Sequence, residues 1–301
     1  MRNILIFYNP HAGRLRKKGM IRLLTDEIEK LGENFEVISE DPNKLETLPD
    51  LNGCPADLVI VFGGDGTVRA VARLILAKGA GTPVAVIPAG SGNLFAFSMR
   101  IPARMKKAVK LALSGKPVAI DVGLLNTEKY FLIAFALGYV TRLIVNTSRR
   151  SKKRLGIFAY FLYFLRSLKF RKCRFQISVD GGSRIYEGNT ILVANILRVF
   201  GSRPRKEMNY VDGLLTLIVL TNKSVLSFFD AFLYFFFSVN TGRNFFVAQG
   251  SRIEIIFGED DAIPSSLDGD AIELDSQKVV LEISERKLRV ISKIEPRTLK
   301  M

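Results

Sequence analysis

The chain has 301 residues, 48% of them hydrophobic, so it can bury a sizeable core and is not disordered as a whole. Two cysteines, Cys54 and Cys173, do not make a disulfide framework, and the single histidine, His11, excludes a multi-histidine metal site. A formal net charge of +15 favours nucleic acid, anionic lipid or phosphorylated ligands as partners, although a basic surface can also serve solubility alone.

Strand and helix patterns alternate over the first 123 residues. Apolar runs predict strands at 3–8, 35–39, 57–62, 83–88 and 118–123. Helical spacing predicts helices at about 15–31, 68–79 and 103–116, the last two closed by glycines. Apolar strands joined by helices are typical of a parallel, doubly wound sheet, so we predict an α/β N-terminal domain.

After residue 123 the pattern changes, and strand-like runs dominate. They lie at 130–137, 173–180, 189–195, 214–220, 252–257, 278–284 and 288–292, separated by Gly, Asp and Asn. We therefore predict a mainly β C-terminal domain, a sandwich or a barrel.

Two aromatic blocks interrupt these strands. Residues 157–165 (IFAYFLYFL) lie in a stretch, 148–175, that holds ten Lys or Arg, and residues 224–239 (SVLSFFDAFLYFFFSV) contain Asp230. Neither block has the roughly 20 apolar residues without a central charge that a spanning helix needs. Because aromatics and charges are segregated, the first block favours a membrane face over base stacking. Both blocks can equally be core helices.

Three polar or glycine-rich loops follow predicted strands: NPHAGR (9–14), GGDGT (63–67) and AGSGN (89–93). The carboxyl ends of strands in an open α/β sheet are where ligands bind, so all three loops should lie at one edge. Glycine has no Cβ, which lets a phosphate oxygen reach the backbone N–H groups there. The three loops together predict phosphate binding.

The central loop differs from the common phosphate motifs. It is neither a P-loop nor a dinucleotide fingerprint, and it carries an acid, Asp65. A carboxylate beside phosphates repels them unless Mg²⁺ bridges the charges or a hydroxyl must be oriented. Asp65 can also cap the following helix, and the two roles are compatible.

In order and spacing, NPHAG, GGDGTV, PAGSGNLFA and IDVG resemble the catalytic domain of the diacylglycerol kinase family, most of all the soluble bacterial lipid kinases of YegS type. Four later blocks continue the resemblance over nearly the whole chain: ALGYVTRLI, VANILRVFGSRP, NYVDGLLTLIVL and SLDGDAIEL. The resemblance implies an ATP-binding α/β domain like that of phosphofructokinase or NAD kinase at 1–123, and a lipid-substrate β-sandwich at 124–290. It also implies that the tail, 291–301, returns to the first domain. The active site of such a protein lies in the cleft where the two domains meet.

The resemblance further implies ATP- and Mg²⁺-dependent transfer of a γ-phosphoryl group to a lipid hydroxyl. It marks these residues as nucleotide-binding: Asn9, Gly13, Arg14, Ser39, Gly63, Gly64, Asp65, Gly66, Thr67, Gly90, Ser91, Gly92 and Asn93. Asp212 matches a metal-site acid that acts with the carbonyls of Asn209 and Leu214, away from the transferred phosphate.

Asp268 and Asp270 match a late Asp-Gly-Glu block in which a carboxylate is the expected general base, so with Asp65 they form the predicted catalytic set. If this segment is extended, residues i and i+2 face the same side, and one acid can bind the hydroxyl while the other orients it or Mg²⁺. The alternative is a tight turn, for which Asp-Gly is a common choice.

The chain departs from the family at three places: Arg69-Ala70 replaces Asn-Glu, Leu94 replaces Asp, and Asp270 replaces Glu. These departures leave open a non-catalytic homologue that binds nucleotide and membrane. An NAD-kinase-like enzyme shares GGDGT but explains neither the aromatic blocks nor PAGSGN.

No nucleic-acid module is recognised, so we expect no nucleic-acid partner. We expect a cytoplasmic enzyme of phospholipid biosynthesis at an anionic membrane surface; its lipid and oligomeric state stay open.

Overall fold

The structure is a computed structural model that describes residues 1–9, 19–50, 53–79, 81–138, 141, 173–196, 210–221, 245–258 and 263–294. Contacts along the chain divide it into two compact units. Unit 1 contains Met1–Val122 and the residues from Glu285 onward, and unit 2 contains Gly123–Ser284.

The N-terminal part of unit 1 alternates strands and helices. The strands are β1 (Asn3–Tyr8), β2 (Asn34–Ile38), β3 (Leu58–Gly63), β4 (Val84–Pro88) and β5 (Pro117–Ile120). The helices are α1 (Gly19–Lys30), α2 (Asp65–Lys78), α3 (Leu94–Ser98) and α4 (Met105–Ser114), with a 3₁₀ turn at Pro42–Lys44. Helix α2 begins before the predicted residue 68, because part of the glycine loop forms its first turn.

The first four strands run parallel in the order β2-β1-β3-β4. Alternate residues of β1, β3 and β4, such as Ile6 and Ile60, share one buried cluster with α1 and α4. Helix α2 packs on β3, and its buried residues lie outside that cluster. This arrangement confirms the predicted doubly wound α/β layer.

The bounded elements of unit 2, among its described residues, are strands joined by turns. They are β6 (Gly123–Leu125), β7 (Lys129–Phe131), β8 (Ala134–Gly138), β9 (Cys173–Val179), β10 (Gly182–Gly188), β11 (Thr190–Ala194), β12 (Leu215–Leu220), β13 (Phe245–Gly250), β14 (Arg252–Phe257), β15 (Ser265–Leu267), β16 (Asp270–Ile272) and β17 (Lys278–Ile283). Two six-stranded antiparallel sheets result, ordered β10-β9-β14-β17-β6-β7 and β13-β12-β11-β8-β15-β16.

The two sheets of unit 2 enclose one hydrophobic core. Phe175 and Ile255 of one sheet, and Phe135, Ile191 and Leu217 of the other, are at most 1% exposed within it. Alternation of inward and outward side chains is the basis of a sandwich, so the mainly β prediction is confirmed. Both aromatic blocks, 157–165 and 224–239, lie outside the described residues. In the part of the chain that is described, no helix is long and apolar enough to cross a membrane.

The first sheet is completed by a strand from the far end of the chain. Strand β18 (Leu288–Ile291) lies between β4 and β5, parallel to β4 and antiparallel to β5. The run at 288–292, which we assign from the sequence to the second domain, therefore belongs to the first sheet, and the chain returns before residue 291. A strand is present where we expect one at 118–123, but β5 pairs antiparallel with β18 instead of parallel and ends at Ile120, and Gly123 begins β6.

Candidate functional site

The described residues of the predicted nucleotide loops lie at one edge of the first sheet. Asn9 follows β1, Ser39 follows β2, and the two glycine loops, 63–67 and 89–93, follow β3 and β4. Because these four strands are parallel neighbours, their carboxyl ends meet at this edge. Gly13 and Arg14 lie outside the described residues.

The two glycine loops touch through their backbones. A Cβ added to Gly90 would lie 2.6 Å from the Cα of Gly64, and one added to Gly64 would lie 3.0 Å from the Cα of Gly90. The Ala89 N–H also donates to the Gly63 carbonyl at 2.9 Å. The absence of side chains at these positions is therefore a packing requirement as well as a way to admit a ligand.

Asn93 closes the second glycine loop. Its Oδ1 accepts from the Gly90 N–H and its Nδ2 donates to the Gly90 carbonyl, both at 2.8 Å. Its φ of 53° lies in the left-handed region, which Asn tolerates better than most residues. The turn leaves Ser91 and Gly92 exposed at the tip of the loop.

Asp65 links the two loops. It is the first residue of α2, and its carboxylate accepts from the Leu94 N–H at 3.1 Å and the Phe95 N–H at 2.9 Å. These are the first amides of α3, so Asp65 caps α3, a helix that begins about 30 residues further along the chain. A Cβ on Gly92 would lie 3.1 Å from Asp65 Oδ2, so a side chain at this position would be in tight contact with the carboxylate.

The N-terminus of α2 has the features of an anion site. Its cap residue, Gly64, provides no side-chain acceptor for the amides of the first turn, and the helix is 14 residues long. In that first turn Thr67 is 8% exposed, and its Oγ1 accepts from Asn9 Nδ2 at 3.3 Å, which joins the end of β1 to the start of α2. Backbone donors at a helix start, with glycine on both approaching loops, are suited to binding a phosphate group.

Asp65 is also compatible with a magnesium ion. Each of its carboxylate oxygens accepts one of the amide bonds described above, so a bound Mg²⁺ would share this carboxylate with the start of α3. Oxygen ligands from one or two carboxylates, together with phosphates, are the usual protein site for Mg²⁺. The described residues contain no group of three or more His, Cys, Asp or Glu side chains that would hold a metal without phosphate.

The predicted metal residues of unit 2 lie in a turn before β12. Asp212 is exposed, and its Oδ1 accepts from the Leu214 N–H at 3.0 Å across Gly213, whose φ is 71°. Asn209 lies outside the described residues. The turn keeps Asp212 and Leu214 together, and their role in binding metal stays a prediction.

Asp268 and Asp270 do not form the predicted same-side pair. Strands β15 and β16 form a hairpin in which Leu267 pairs with Asp270. The two turn residues, Asp268 and Gly269, have φ values of 52° and 92°. An Asp-Gly turn with positive φ at both positions is a favoured hairpin connection, so the tight-turn alternative is correct and the extended segment is wrong.

The two acids consequently have different surroundings. Asp268 is 8% exposed, and its carboxylate accepts from three backbone amides: Leu132 at 2.9 Å, Ile133 at 2.7 Å and Ala134 at 3.0 Å. Asp270 is exposed. The bonds to Asp268 also explain why the apolar run 130–137 forms two strands, since part of its backbone turns toward the carboxylate.

Two further contacts of unit 1, away from the glycine loops, give no signal in the sequence. Arg286 donates to the carbonyls of Leu76 and Ala77, the latter at 3.2 Å, and so holds the C-terminal turn of α2. Lys287 lies 3.1 Å from the buried carboxylate of Asp121. Both cations come from the returning segment, more than 150 residues away in the sequence, so no local pattern predicts them.

The fold is shared with known kinase structures. A Bacillus anthracis structure described as a diacylglycerol kinase aligns with 97% of this chain and 98% of its own, with a TM-score of 0.73 and 21% identity. An NAD kinase from Archaeoglobus fulgidus, solved in complex with ATP, aligns with 97% of this chain and 94% of its own, with a TM-score of 0.51 and 16% identity. At these identities the likeness defines a fold class, the diacylglycerol kinase and NAD kinase fold.

Sequence comparison narrows this class to a family. The model of the diacylglycerol kinase catalytic domain matches residues 3–125. A YegS-like lipid kinase of Pectobacterium atrosepticum is 31% identical over 224 residues, which are 72% of each chain. The chain therefore belongs to the diacylglycerol kinase family and its YegS-like lipid kinases, which are phosphotransferases with an alcohol group as acceptor.

Proposed function

We propose that this protein is an ATP- and Mg²⁺-dependent lipid kinase that transfers the γ-phosphoryl group to a lipid hydroxyl. The observation that carries the proposal is the joined pair of glycine loops, with Gly64 and Gly90 in backbone contact and Asp65 between α2 and α3. Family membership supports the reaction class. Preorganised donors at the phosphates are what phosphoryl transfer requires, because positioning and electrostatics supply most of its catalysis.

In this proposal the first-turn amides of α2 and the exposed tip, Ser91 and Gly92, bind phosphate oxygens. The Asp65 carboxylate would hold Mg²⁺, whose chemistry is to neutralise charge on the transferred phosphate. Asp212 and Leu214 would hold a separate, structural metal. Asn9 and Thr67 keep the loop ends together, so that these donors need little reorganisation when nucleotide binds.

We assign the general base to Asp270. Three amide bonds occupy most of the acceptor sites of the buried Asp268 carboxylate, which suits it to holding the hairpin in place. Asp270 is exposed beside that turn and is one residue from Gly269. Its carboxylate would take the proton of the lipid hydroxyl as the hydroxyl oxygen bonds to the γ-phosphorus and ADP leaves.

The proposed acceptor is diacylglycerol or a related lipid alcohol, which places the reaction in phospholipid biosynthesis and the protein at an anionic membrane surface. We prefer a lipid acceptor to NAD because the chain is more similar in sequence to lipid kinases than to the NAD kinase. The NAD kinase shares the fold at a TM-score of 0.51 and 16% identity, whereas a YegS-like lipid kinase is 31% identical in sequence.

The test is phosphoryl transfer from γ-labelled ATP with Mg²⁺, run with diacylglycerol, with a total lipid extract and with NAD. We expect label in lipid, lost in Asp270→Asn while ATP binding persists. Label in NAD alone would replace the proposal with the soluble-substrate reaction. ATP binding without transfer to any acceptor would make this chain the non-catalytic homologue that Arg69, Ala70 and Leu94 suggest.

A further inference from the structure

A group of exposed cations surrounds helix α4. Between residues 99 and 120 the chain has no Asp or Glu. The same segment exposes six basic side chains, which we call the α4 basic surface: Arg100, Arg104, Lys106, Lys107, Lys110 and Lys116. This surface belongs to unit 1 and is distinct from the glycine loops.

The packing of α4 directs several of these charges to solvent. Ala108, Val109 and Ala112 are at most 3% exposed and pack in the cluster that α4 shares with the sheet. Lys110 is three residues after Lys107 and four after Lys106, which are the spacings of neighbours on a helix surface. Like charges at these spacings repel one another, so the arrangement weakens the helix.

The charges also oppose the helix dipole. The N-cap of α4 is Arg104, which makes no side-chain capping bond, and the first turn contains no acid. Lys106 and Lys107 therefore stand at the positive end of the helix, where acids are favoured. The sequence thus maintains a charge pattern that folding alone disfavours.

Ion pairs within the described residues do not offset this pattern. Other cations have carboxylate partners, such as Lys30 with Glu27 and Lys278 with Glu254. Helix α1 contacts α4 and carries three acids, but among the resolved ion pairs none joins α1 to α4. No ion pair among the described residues therefore joins a carboxylate to the α4 basic surface.

We propose that the α4 basic surface docks on the anionic headgroups of a lipid bilayer, an inference that rests on the proposed function because the acceptor resides there. Residues 99–120 contain no aromatic side chain, so this surface has no stacking platform for nucleic-acid bases. Most of its charges are lysines, which act as flexible point charges and suit a diffuse layer of headgroups. Its exposed positions carry no large apolar side chain, so binding is electrostatic and without insertion.

The experiment compares the full-length wild-type protein with K106Q/K107Q/K110Q. Its matched control, K44Q/K129Q/K293Q, removes the same charge from exposed lysines elsewhere. Binding is measured by flotation on phosphatidylcholine vesicles with and without phosphatidylglycerol, over a range of salt. Each lysine near an anionic surface is worth on the order of fivefold in affinity, so the α4 variant should lose about 100-fold and the control much less.

Equal vesicle binding by both triple variants would overturn the proposal, as would binding that does not weaken with salt. Tighter binding to a single-stranded RNA oligonucleotide than to anionic vesicles, lost in the α4 variant, would overturn it by assigning the surface to nucleic acid. Loss of vesicle binding in the α4 variant alone supports the docking proposal, even if the wild type phosphorylates no lipid. The experiment therefore tests the docking surface independently of the proposed kinase reaction. ATP binding and thermal unfolding of the variants confirm that they are folded.

Discussion

The backbone N–H of Phe95 donates a hydrogen bond of 2.9 Å to the carboxylate of Asp65. The bond fixes the start of α3 to the start of α2, and it gives one side chain both a structural and a proposed magnesium-binding role.

Replacing Asp65 should therefore affect stability as well as transfer. Asp65→Ala removes the only side-chain acceptor identified for the first amides of α3 in the described structure, and we expect a loss of about 1–2 kcal/mol in the free energy of unfolding. Asp65→Asn keeps one acceptor oxygen and should lose less, yet it should still abolish phosphoryl transfer. Urea unfolding and labelled-ATP transfer check the two effects. Full transfer activity in Asp65→Asn would remove Asp65 from the metal site.

Gly90→Ala should separate the two glycine loops. Its Cβ would lie 2.6 Å from the Gly64 backbone, which cannot move without shifting α2. We expect a loss of about 1–3 kcal/mol in stability and a marked loss of ATP affinity, measured by unfolding and calorimetry. Gly258→Ala is the matched control, because nothing lies within 4 Å of its added Cβ. If both variants bind ATP as the wild type does, the loops do not form the nucleotide site.

The two acids of the β15–β16 hairpin should separate in their effects. Asp268→Ala leaves three amides without their acceptor, and we expect it to lose about 3 kcal/mol or more of stability. Asp270→Asn should stay within about 0.5 kcal/mol of the wild type, because the side chain is exposed. Asp270→Asn should nevertheless lose phosphoryl transfer activity, although its stability is nearly unchanged. Thermal unfolding and transfer assays on both variants decide the assignment, and a fully active Asp270→Asn would contradict it.

Asp180 should make stability depend on acid pH. The Arg252 N–H, above all, and the Ser251 hydroxyl donate to its carboxylate and lower its pKa in the folded protein. A lowered folded pKa adds stability above the unfolded pKa, which is about 3.9 for Asp, and that stability is lost as the pH falls through the folded pKa. Denaturation as a function of pH should show Asp180→Asn less stable than the wild type at neutral pH.

The same difference should shrink as the medium is acidified, since protonation removes the advantage from the wild type. A difference that stays constant across the acid range would show that Asp180 acts through its shape and not its charge. Ser276→Ala offers a comparison at another strand connection, where a serine hydroxyl accepts from the Lys278 N–H and no carboxylate takes part.

Much of this architecture follows from local sequence patterns. Helical and strand periodicity give the α/β layer and the strand-rich half, because both depend on neighbours within a few residues. The division of the apolar run 130–137 into two strands could not be predicted locally, because it depends on the carboxylate of Asp268, far away in the sequence. The role of Asp65 toward α3 is equally hidden, because its partners lie about 30 residues away.

Asp268 and Asp270 show the limit at the site itself. Asp-Gly is compatible with an extended segment and with a turn, and only the pairing of Leu267 with Asp270 decides between them. The position of β18 could not be predicted from the sequence. Its pairing with β4 and β5 joins distant parts of the chain, and such pairing produces no recognisable pattern in the residues of the strands involved. The family resemblance anticipated that the chain returns to the first domain, but not the strand that does so.

The place of β18 sets an order of events during synthesis. Strands β4 and β5 are neighbours only through β18, which leaves the ribosome after every strand of unit 2 has been made. The sheet that carries the glycine loops is therefore incomplete until the last part of the described chain emerges, and Arg286 and Lys287 reach α2 and Asp121 at the same time. The first sheet, although most of its strands are translated first, is therefore the last of the three described sheets to receive all of its strands.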